Sequence, residues 1–213
     1  SVFKVSIKVS NCLYLSIWGI SMKLLIIIPA YNESQNIKCV VNNLITKYPQ
    51  YDYIVVNDGS RDNTADICRA NEYNFLDFPV NLGLASAFQI GIKFAYRNGY
   101  DMSVQLDGDG QHNPLYIEDM IQEMERSKAD IVIGSRFKNV KQPLTLRMIG
   151  SKLISFAIRL TTGTRISDPT SGMRLFNRNM LKEFANEMNY GPEPDTLSYL
   201  MRNGANVSEV QVE

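Results

Sequence analysis

The chain has 213 residues, 45% of them hydrophobic, with 22 Lys+Arg against 22 Asp+Glu and a formal net charge of zero. That length is one large domain's worth, and that apolar fraction excludes disorder. The balanced charge leaves no basic excess to neutralise a nucleic-acid backbone, so nucleic acid is not an expected partner.

The three cysteines, Cys12, Cys39 and Cys68, are too scattered for a zinc site or a disulfide framework, and suit a reducing cytosol. No apolar run reaches the about 18 residues that suggest a membrane-spanning helix.

Residues 1–21 mix Val2, Val5, Ile7 and Val9 with polar residues, then run apolar but are broken by Ser16 and Gly19. The apolar part is short for a signal peptide and has no clear cleavage site. Met22-Lys23 ahead of a strong strand looks like a natural start. Residues 1–21 are therefore expected to be an extension outside the fold, with an extra edge strand or a membrane-touching segment as the alternative.

Residues 24–28 are five consecutive apolar residues followed by Pro29-Ala30-Tyr31-Asn32-Glu33, the pattern of a buried parallel strand running into a loop. Ile37, Val40, Val41, Leu44 and Ile45 form a helical stripe over 33–48, with Asn32 or Ser34 as its cap. A second strand, 53–56, ends in Asn57-Asp58-Gly59-Ser60 and a helix follows over 65–71. A third strand, 73–78, leads through Asn81-Leu82-Gly83 into a helix ending near Tyr96. The strands at 101–106 and 131–133 end in Asp107-Gly108-Asp109-Gly110 and Gly134-Ser135-Arg136-Phe137. Strand and helix alternating through short loops predict a parallel, doubly wound α/β sheet whose polar loops gather on one rim.

The acidic turn carries the most chemistry. Positions one and three of an extended segment point the same way, so Asp107 and Asp109 are placed to share a hard divalent cation, with Gln111 as a neutral oxygen ligand. A plain surface loop is the competing reading. An EF-hand loop is not supported, because its sixth position is His112 rather than Gly, Pro114 interrupts it and a strand precedes it. A phosphatase-type aspartyl nucleophile lacks matching lysine and threonine elements.

Beyond Phe137 the character changes. Residues 138–145 read as a polar, mobile loop. Leu146, Ile149, Leu153, Phe156, Ala157 and Leu160 recur at helical spacing. A helix packed on the core is the favoured reading, and a helix lying on a bilayer and presenting a lipid acceptor is the alternative. A polar loop, Ser167 to Arg174, precedes a short strand at 175–176. Helices are expected over 179–186 and 195–203, and a final strand over 207–212 suggests that the segment is cut short at its C-terminus.

Six stretches occur in order: Pro29-Ala30-Tyr31-Asn32-Glu33, Asn57-Asp58-Gly59-Ser60-Arg61-Asp62, Asn81-Leu82-Gly83, Asp107-Gly108-Asp109-Gly110-Gln111-His112, Gly134-Ser135-Arg136-Phe137 and Asp168-Pro169-Thr170-Ser171-Gly172-Met173-Arg174. From Met22 onward the chain resembles family 2 glycosyltransferases of the GT-A fold, close to the dolichyl- and polyprenyl-phosphate sugar transferase branch. The resemblance implies a mostly parallel central sheet flanked by helices, with a nucleotide-binding part over 22–137 and an acceptor part over 138–213. It also implies inverting transfer from a UDP- or GDP-sugar to a lipid-phosphate or glycan acceptor in cell-envelope polysaccharide or glycolipid synthesis. The expected location is cytoplasmic, peripheral on the inner face of the membrane.

By the same resemblance Pro29, Ala30, Tyr31, Glu33, Asp58, Ser60, Asn81, Gly83, Asp107, Gly108 and Ser171 line the donor site. Arg136 and Arg174 meet phosphate oxygens. Asp107, Asp109 and Gln111 hold Mg2+ or Mn2+, and His112 orients that loop. Glu193 and Asp195 lie where related enzymes place an acidic base, while a simple helix cap is the other reading of Asp195. The sequence departs from the polyprenyl-phosphate branch in showing no membrane-spanning helices, which truncation would also explain, and this keeps lipid and glycan acceptors both open. Two rivals are an inactive nucleotide-binding module of the same fold and a nicotinamide-dependent oxidoreductase. The second is disfavoured, since no Gly-x-Gly-x-x-Gly follows the first strand.

Overall fold

A computed structural model describes residues 4–6, 15–17, 20–138, 146–186, 191 and 193–213. Its strands are β1 (Lys4–Ser6), β2 (Leu15–Ile17), β3 (Ile20–Met22), β4 (Leu24–Ala30), β5 (Asp52–Asn57), β6 (Phe75–Asp77), β7 (Met102–Gln105), β8 (Ile131–Ser135), β9 (Arg174–Asn177) and β10 (Val207–Gln211). Its helices are α1 (Ile37–Lys47), α2 (Thr64–Ala70), α3 (Leu84–Arg97), α4 (Ile117–Ser127), α5 (Leu146–Thr162), α6 (Arg178–Asn186) and α7 (Pro194–Arg202), and a 3-10 turn at Pro114–Tyr116 leads into α4.

The main sheet has the order β1-β6-β5-β4-β7-β9-β8-β10. Its centre, β4, is apolar throughout because both faces are covered. Leu24, Ile26, Ile28 and Ala30 pack into one core with Ile37, Val41 and Leu44 of α1 and Ile117, Met120, Ile121 and Met124 of α4. Leu25 and Ile27 enter a second core with Phe88 and Ile92 of α3 and Phe184 of α6. The buried set of α4 follows an i, i+3, i+4, i+7 pattern, the stripe of a helix lying on a sheet.

The sheet is mostly parallel, as expected, and one strand inside it runs the other way. β9 runs antiparallel to both β7 and β8, with Leu175 opposite Val104 and Val132. Because β9 points the other way, the loop entering it, rather than the one leaving it, lies at the rim where β7 and β8 end. This brings Ser167 to Met173 beside the acidic turn. β9 also stitches the two expected parts into one sheet, and Phe176 meets Phe88 and Phe184 with ring centroids 5.4 and 5.6 Å apart. Within 1–21, β1 pairs antiparallel with β6 at the sheet edge, and β2 forms a hairpin with β3. That pairing corresponds to the edge-strand alternative for this stretch. Residues 139–145, most of the expected mobile loop, lie outside the described residues.

Candidate functional site

The loops after β4 and β5 are bonded together. Asn32 N–H donates to Ser60 Oγ (2.9 Å), Arg61 N–H to Asn32 Oδ1 (2.8 Å), Ser34 N–H to Asp62 Oδ2 (3.0 Å) and Glu33 N–H to Thr64 Oγ1 (2.9 Å). Neither proposed cap therefore caps α1. Asn32 takes a left-handed conformation (φ 58°) and binds the neighbouring loop, and the helix opens at Asn36 with no side-chain cap bond. Asp62 is held by donors from both loops: partial burial pushes its carboxyl up, but hydrogen bonds from Thr64 and Ser34 outweigh this and lower it from 3.8 to about 2.

Asp58, expected to line the donor site, is buried. Its two oxygens accept the N–H groups of Leu82 (2.7 Å) and Gly83 (2.8 Å), drawing the loop after β6 against the other two. Gly83 then opens α3, and its carbonyl accepts from Ser86 and Ala87. Pro29 and Ala30 are the last residues of β4, while Tyr31 and Asn81 are exposed on this rim.

The acidic turn leaves β7 next to them. Asp107 is half-exposed, and Asp109 and Gln111 are exposed. Gln111 N–H donates to Asp109 Oδ1 (3.0 Å). His112 Nδ1 accepts the Asp107 N–H (3.1 Å) and lies 3.4 Å from Asp107 Oδ2. A ring accepting at Nδ1 carries its proton on Nε2. Two glycines allow the close approach here. A Cβ at Gly108 would stand 3.0 Å from the Pro29 carbonyl oxygen, and one at Gly172 would stand 2.9 Å from Asp107 Oδ2 and 3.0 Å from His112 Cε1. The loops of β4, β7 and β9 thus meet at Asp107.

Among the described residues no group of three or more His, Cys, Asp or Glu gathers as a metal cage. The donor set here is instead two accessible carboxylates and an amide oxygen. Hard oxygen ligands of this kind are the donor chemistry that fits Mg2+ or Mn2+.

The loop entering β9 is held from inside, which corrects two expectations. Arg174 does not offer its guanidinium to solvent: it is buried, and donates to the carbonyls of Ser171 (3.0 Å) and Pro169 (2.6 Å). Burial lowers its pKa to about 10, opposed by nearby Asp168. Ser171 is also buried, with its hydroxyl donating to the Gly134 carbonyl (2.6 Å). Both shape the rim from below. Arg136 remains at the surface, paired through Nε with fully buried Asp168 (2.9 Å).

Glu193 and Asp195 are exposed at the start of α7. Glu193 occupies the cap position without a side-chain cap bond, and Asp195 sits in the first turn, so the capping reading of Asp195 does not hold. Gly191 packs 2.7 Å from Ala85 Cβ, measured from an added Cβ, which ties this segment to the start of α3. Asp195 also borders an apolar groove of about 400 Å³ between α5 and α7, lined by Ile154, Ala157, Ile158 and Pro194. The core-packed reading of α5 fails over its second half. Ile158 is buried, but Leu153 and Phe156 are each 64% exposed and Leu160 is 76% exposed. Among the described residues no helix is long and apolar enough to cross a membrane.

Sequence reasoning overlooked Glu209 and Asp168 as site residues. A lone carboxylate on the Val207 face of a strand was the available signal for Glu209, since such a charge needs an internal partner.

Comparison with known proteins agrees with this architecture. The chain belongs to glycosyl transferase family 2, whose family profile matches residues 25–184. It is 34% identical over 213 residues to the UDP-N-acetylglucosamine–dolichyl-phosphate N-acetylglucosaminyltransferase of Methanococcus voltae, covering 88% of this chain and 84% of the relative. It is 31% identical over 204 residues to the undecaprenyl-phosphate mannosyltransferase of Micrococcus luteus, covering 90% and 83%. Glucosyl-3-phosphoglycerate synthase from Mycobacterium tuberculosis, solved with Mn2+, UDP-glucose and phosphoglyceric acid, shares the fold with a TM-score of 0.66. It is 18% identical, and the match covers 89% of this chain and 69% of that one. The protein is thus a glycosyltransferase built on the GT-A fold.

Proposed function

We propose that this enzyme transfers a sugar from a nucleoside-diphosphate donor to a polyprenyl-phosphate acceptor at a membrane surface, with inversion at the anomeric carbon. The observation carrying this reading is the accessible Asp107–Asp109 turn set among loops bonded to one another: a rigid rim around open carboxylates suits a metal-bound diphosphate. The two lipid-phosphate-named relatives supply the acceptor class.

Asp107, Asp109 and Gln111 would hold Mg2+ or Mn2+, which would supply Lewis-acid neutralisation of the leaving diphosphate. The loops around Pro29, Ala30, Tyr31, Glu33, Ser60, Asn81 and Gly83 shape the nucleoside side, with Asp58 holding them in place. Arg136 meets a phosphate oxygen with a fixed charge. A phosphate oxygen of the acceptor attacks the anomeric carbon, the bond to the diphosphate breaks, and the nucleoside diphosphate leaves. The acceptor is already an anion, so it needs no strong base, and Glu193 and Asp195 serve acceptor placement. The exposed Leu153, Phe156 and Leu160, with Arg159 and Arg165 nearby, form the bilayer-facing side and bring the enzyme to its lipid.

The test is nucleoside-diphosphate release with Mn2+ and vesicles carrying polyprenyl phosphate, for wild type and Asp109→Ala. Release by wild type alone is expected. Equal release by both removes the metal role, release only with a soluble glycan reassigns the acceptor, and no release with any donor favours the inactive-module reading.

A further inference from the structure

We propose that Glu209, on the edge strand β10, is the positioning residue that fixes Arg136 to meet a phosphate. The inference rests on the reading above, since that phosphate belongs to the donor or to the acceptor.

A chain of bonds runs between the two residues. Glu209 is 8% exposed. Both of its carboxylate oxygens accept the Ser167 N–H (2.9 Å each), and Oε1 also accepts the Asp168 N–H (3.1 Å). That places the backbone of Asp168, whose side chain is fully buried. Asp168 Oδ2 then accepts from Arg136 Nε (2.9 Å) and from the Arg136 backbone N–H (3.4 Å), and Oδ1 accepts from Thr170 Oγ1 (3.1 Å) and Arg136 Nη2 (3.4 Å).

The same strand holds Arg136 from its other end, because Gln211 Nε2 donates to the Arg136 carbonyl (3.0 Å). Register explains the reach: β10 lies parallel to β8 with Gln211 beside Ser135, the residue before Arg136.

A guanidinium has five N–H groups in a rigid fork. The side-on contact with Asp168 uses the Nε and one Nη2 hydrogen and leaves the Nη1 side of the fork without a hydrogen-bond partner among the described residues. Arg136's side chain is 46% exposed and lies 5.5 Å from the Phe137 ring centroid. A buried carboxylate that grips one edge of an arginine and leaves the other edge open orients a cation toward an anion. A neutral residue at 209 offers a single acceptor oxygen to two amides that now share two, so the loop shifts and the fork loses its aim.

The experiment measures Mn2+-supported binding of UDP against uridine, and KM for polyprenyl phosphate, in wild type, Glu209→Gln, Arg136→Ala and the double variant, using GDP and guanosine if the donor is guanine-based. The UDP arm reports a donor phosphate and the acceptor KM arm a lipid phosphate. Arg136→Ala is expected to weaken one of these by about 10- to 100-fold, the scale of a lost charge-assisted hydrogen bond, and Glu209→Gln to weaken the same one by about tenfold. Nucleoside binding stays unchanged, and Glu209→Gln adds little once Arg136 is gone, as coupling through one side chain requires. Additive effects, or equal loss of uridine and UDP binding, overturn the proposal. Should Glu209→Gln fail to fold, Asp168→Asn tests the next link, and wild-type phosphate affinity there also overturns it. A wild type that binds neither diphosphate overturns the parent reading, a result distinct from a binding wild type with an unaffected Glu209→Gln.

Discussion

The two sides of the rim, proposed above as the donor and acceptor sides, are organised by different forces. On the donor side, polar groups bond across loops: Asn32 to the loop after β5, Asp62 to the loop after β4, and Asp58 to the loop after β6. Such a surface is fixed before any ligand arrives, which is how a site stabilises charge without reorganising. On the acceptor side, α5 and α7 border an apolar groove, and Leu153, Phe156 and Leu160 face solvent. Exposed apolar surface of that kind marks an interaction face. The first surface suits a small polar molecule by geometry, and the second a large apolar one by area.

The largest effect expected is on the donor side. Asp109 is exposed and, among the described residues, bonds only within its own turn, so Asp109→Ala is expected to leave the melting temperature unchanged. The same change lowers transfer about 1,000-fold, the scale of losing a metal's several kcal/mol of charge stabilisation. Turnover within tenfold of wild type, with Mn2+ saturating, would break the contrast between a catalytic half and a docking half.

Next is the joint between the halves. Phe176 of β9 is buried against Phe88 and Phe184, and Phe176→Ala is expected to cost about 3–5 kcal/mol by cavity formation. Urea unfolding reads this directly. A single transition with reduced stability fits one shared core, whereas two separated transitions would show that the halves unfold independently.

These contrasts bear on what the sequence displays. The strands of the donor half are legible because long apolar runs fit only a sheet covered on both faces, and residues 24–28 have no other home. The direction of β9 was not legible, since Leu175-Phe176 is apolar whichever way the strand runs. That reversal brings the loop before β9 to the rim, where Arg174 and Ser171 bond inward to backbone carbonyls, a placement that a motif read as a string does not show. Asp58 lies in the loop after β5, and its carboxylate serves Leu82 and Gly83, partners 24 and 25 residues away that no local pattern announces. The periodicity of α5 correctly gave a helix, but periodicity alone does not say whether its apolar stripe meets a core or open surface.

A smaller effect tests the acceptor side. Replacing Phe156 and Leu160 with serine removes two exposed apolar side chains, and with partial insertion the loss in vesicle partitioning is about tenfold, below the about 1.5–3 kcal/mol of full burial per side chain. Nucleoside-diphosphate binding is expected to be unchanged. Sedimentation with vesicles equal to wild type would remove the membrane from this half.

The smallest effect sharpens the donor side by pH. Asp62 has a depressed pKa in the folded state, about 2 against 3.8, because the hydrogen bonds from Thr64 and Ser34 overcome the upward push of burial. A group whose folded pKa is lowered stabilises the fold above its unfolded value, and that contribution is lost as pH falls through the folded one. Wild type should therefore melt higher than Asp62→Asn at pH 5 to 7, with the gap closing between pH 3.8 and about 2. Other carboxylates titrate in both proteins and largely cancel in the difference. A gap constant across that range would mean that the bond from Asp62 to Ser34 contributes nothing to joining the two loops, and the prearranged character of the donor side would have to come from Asp58 and the neutral contacts of Asn32 and Ser60.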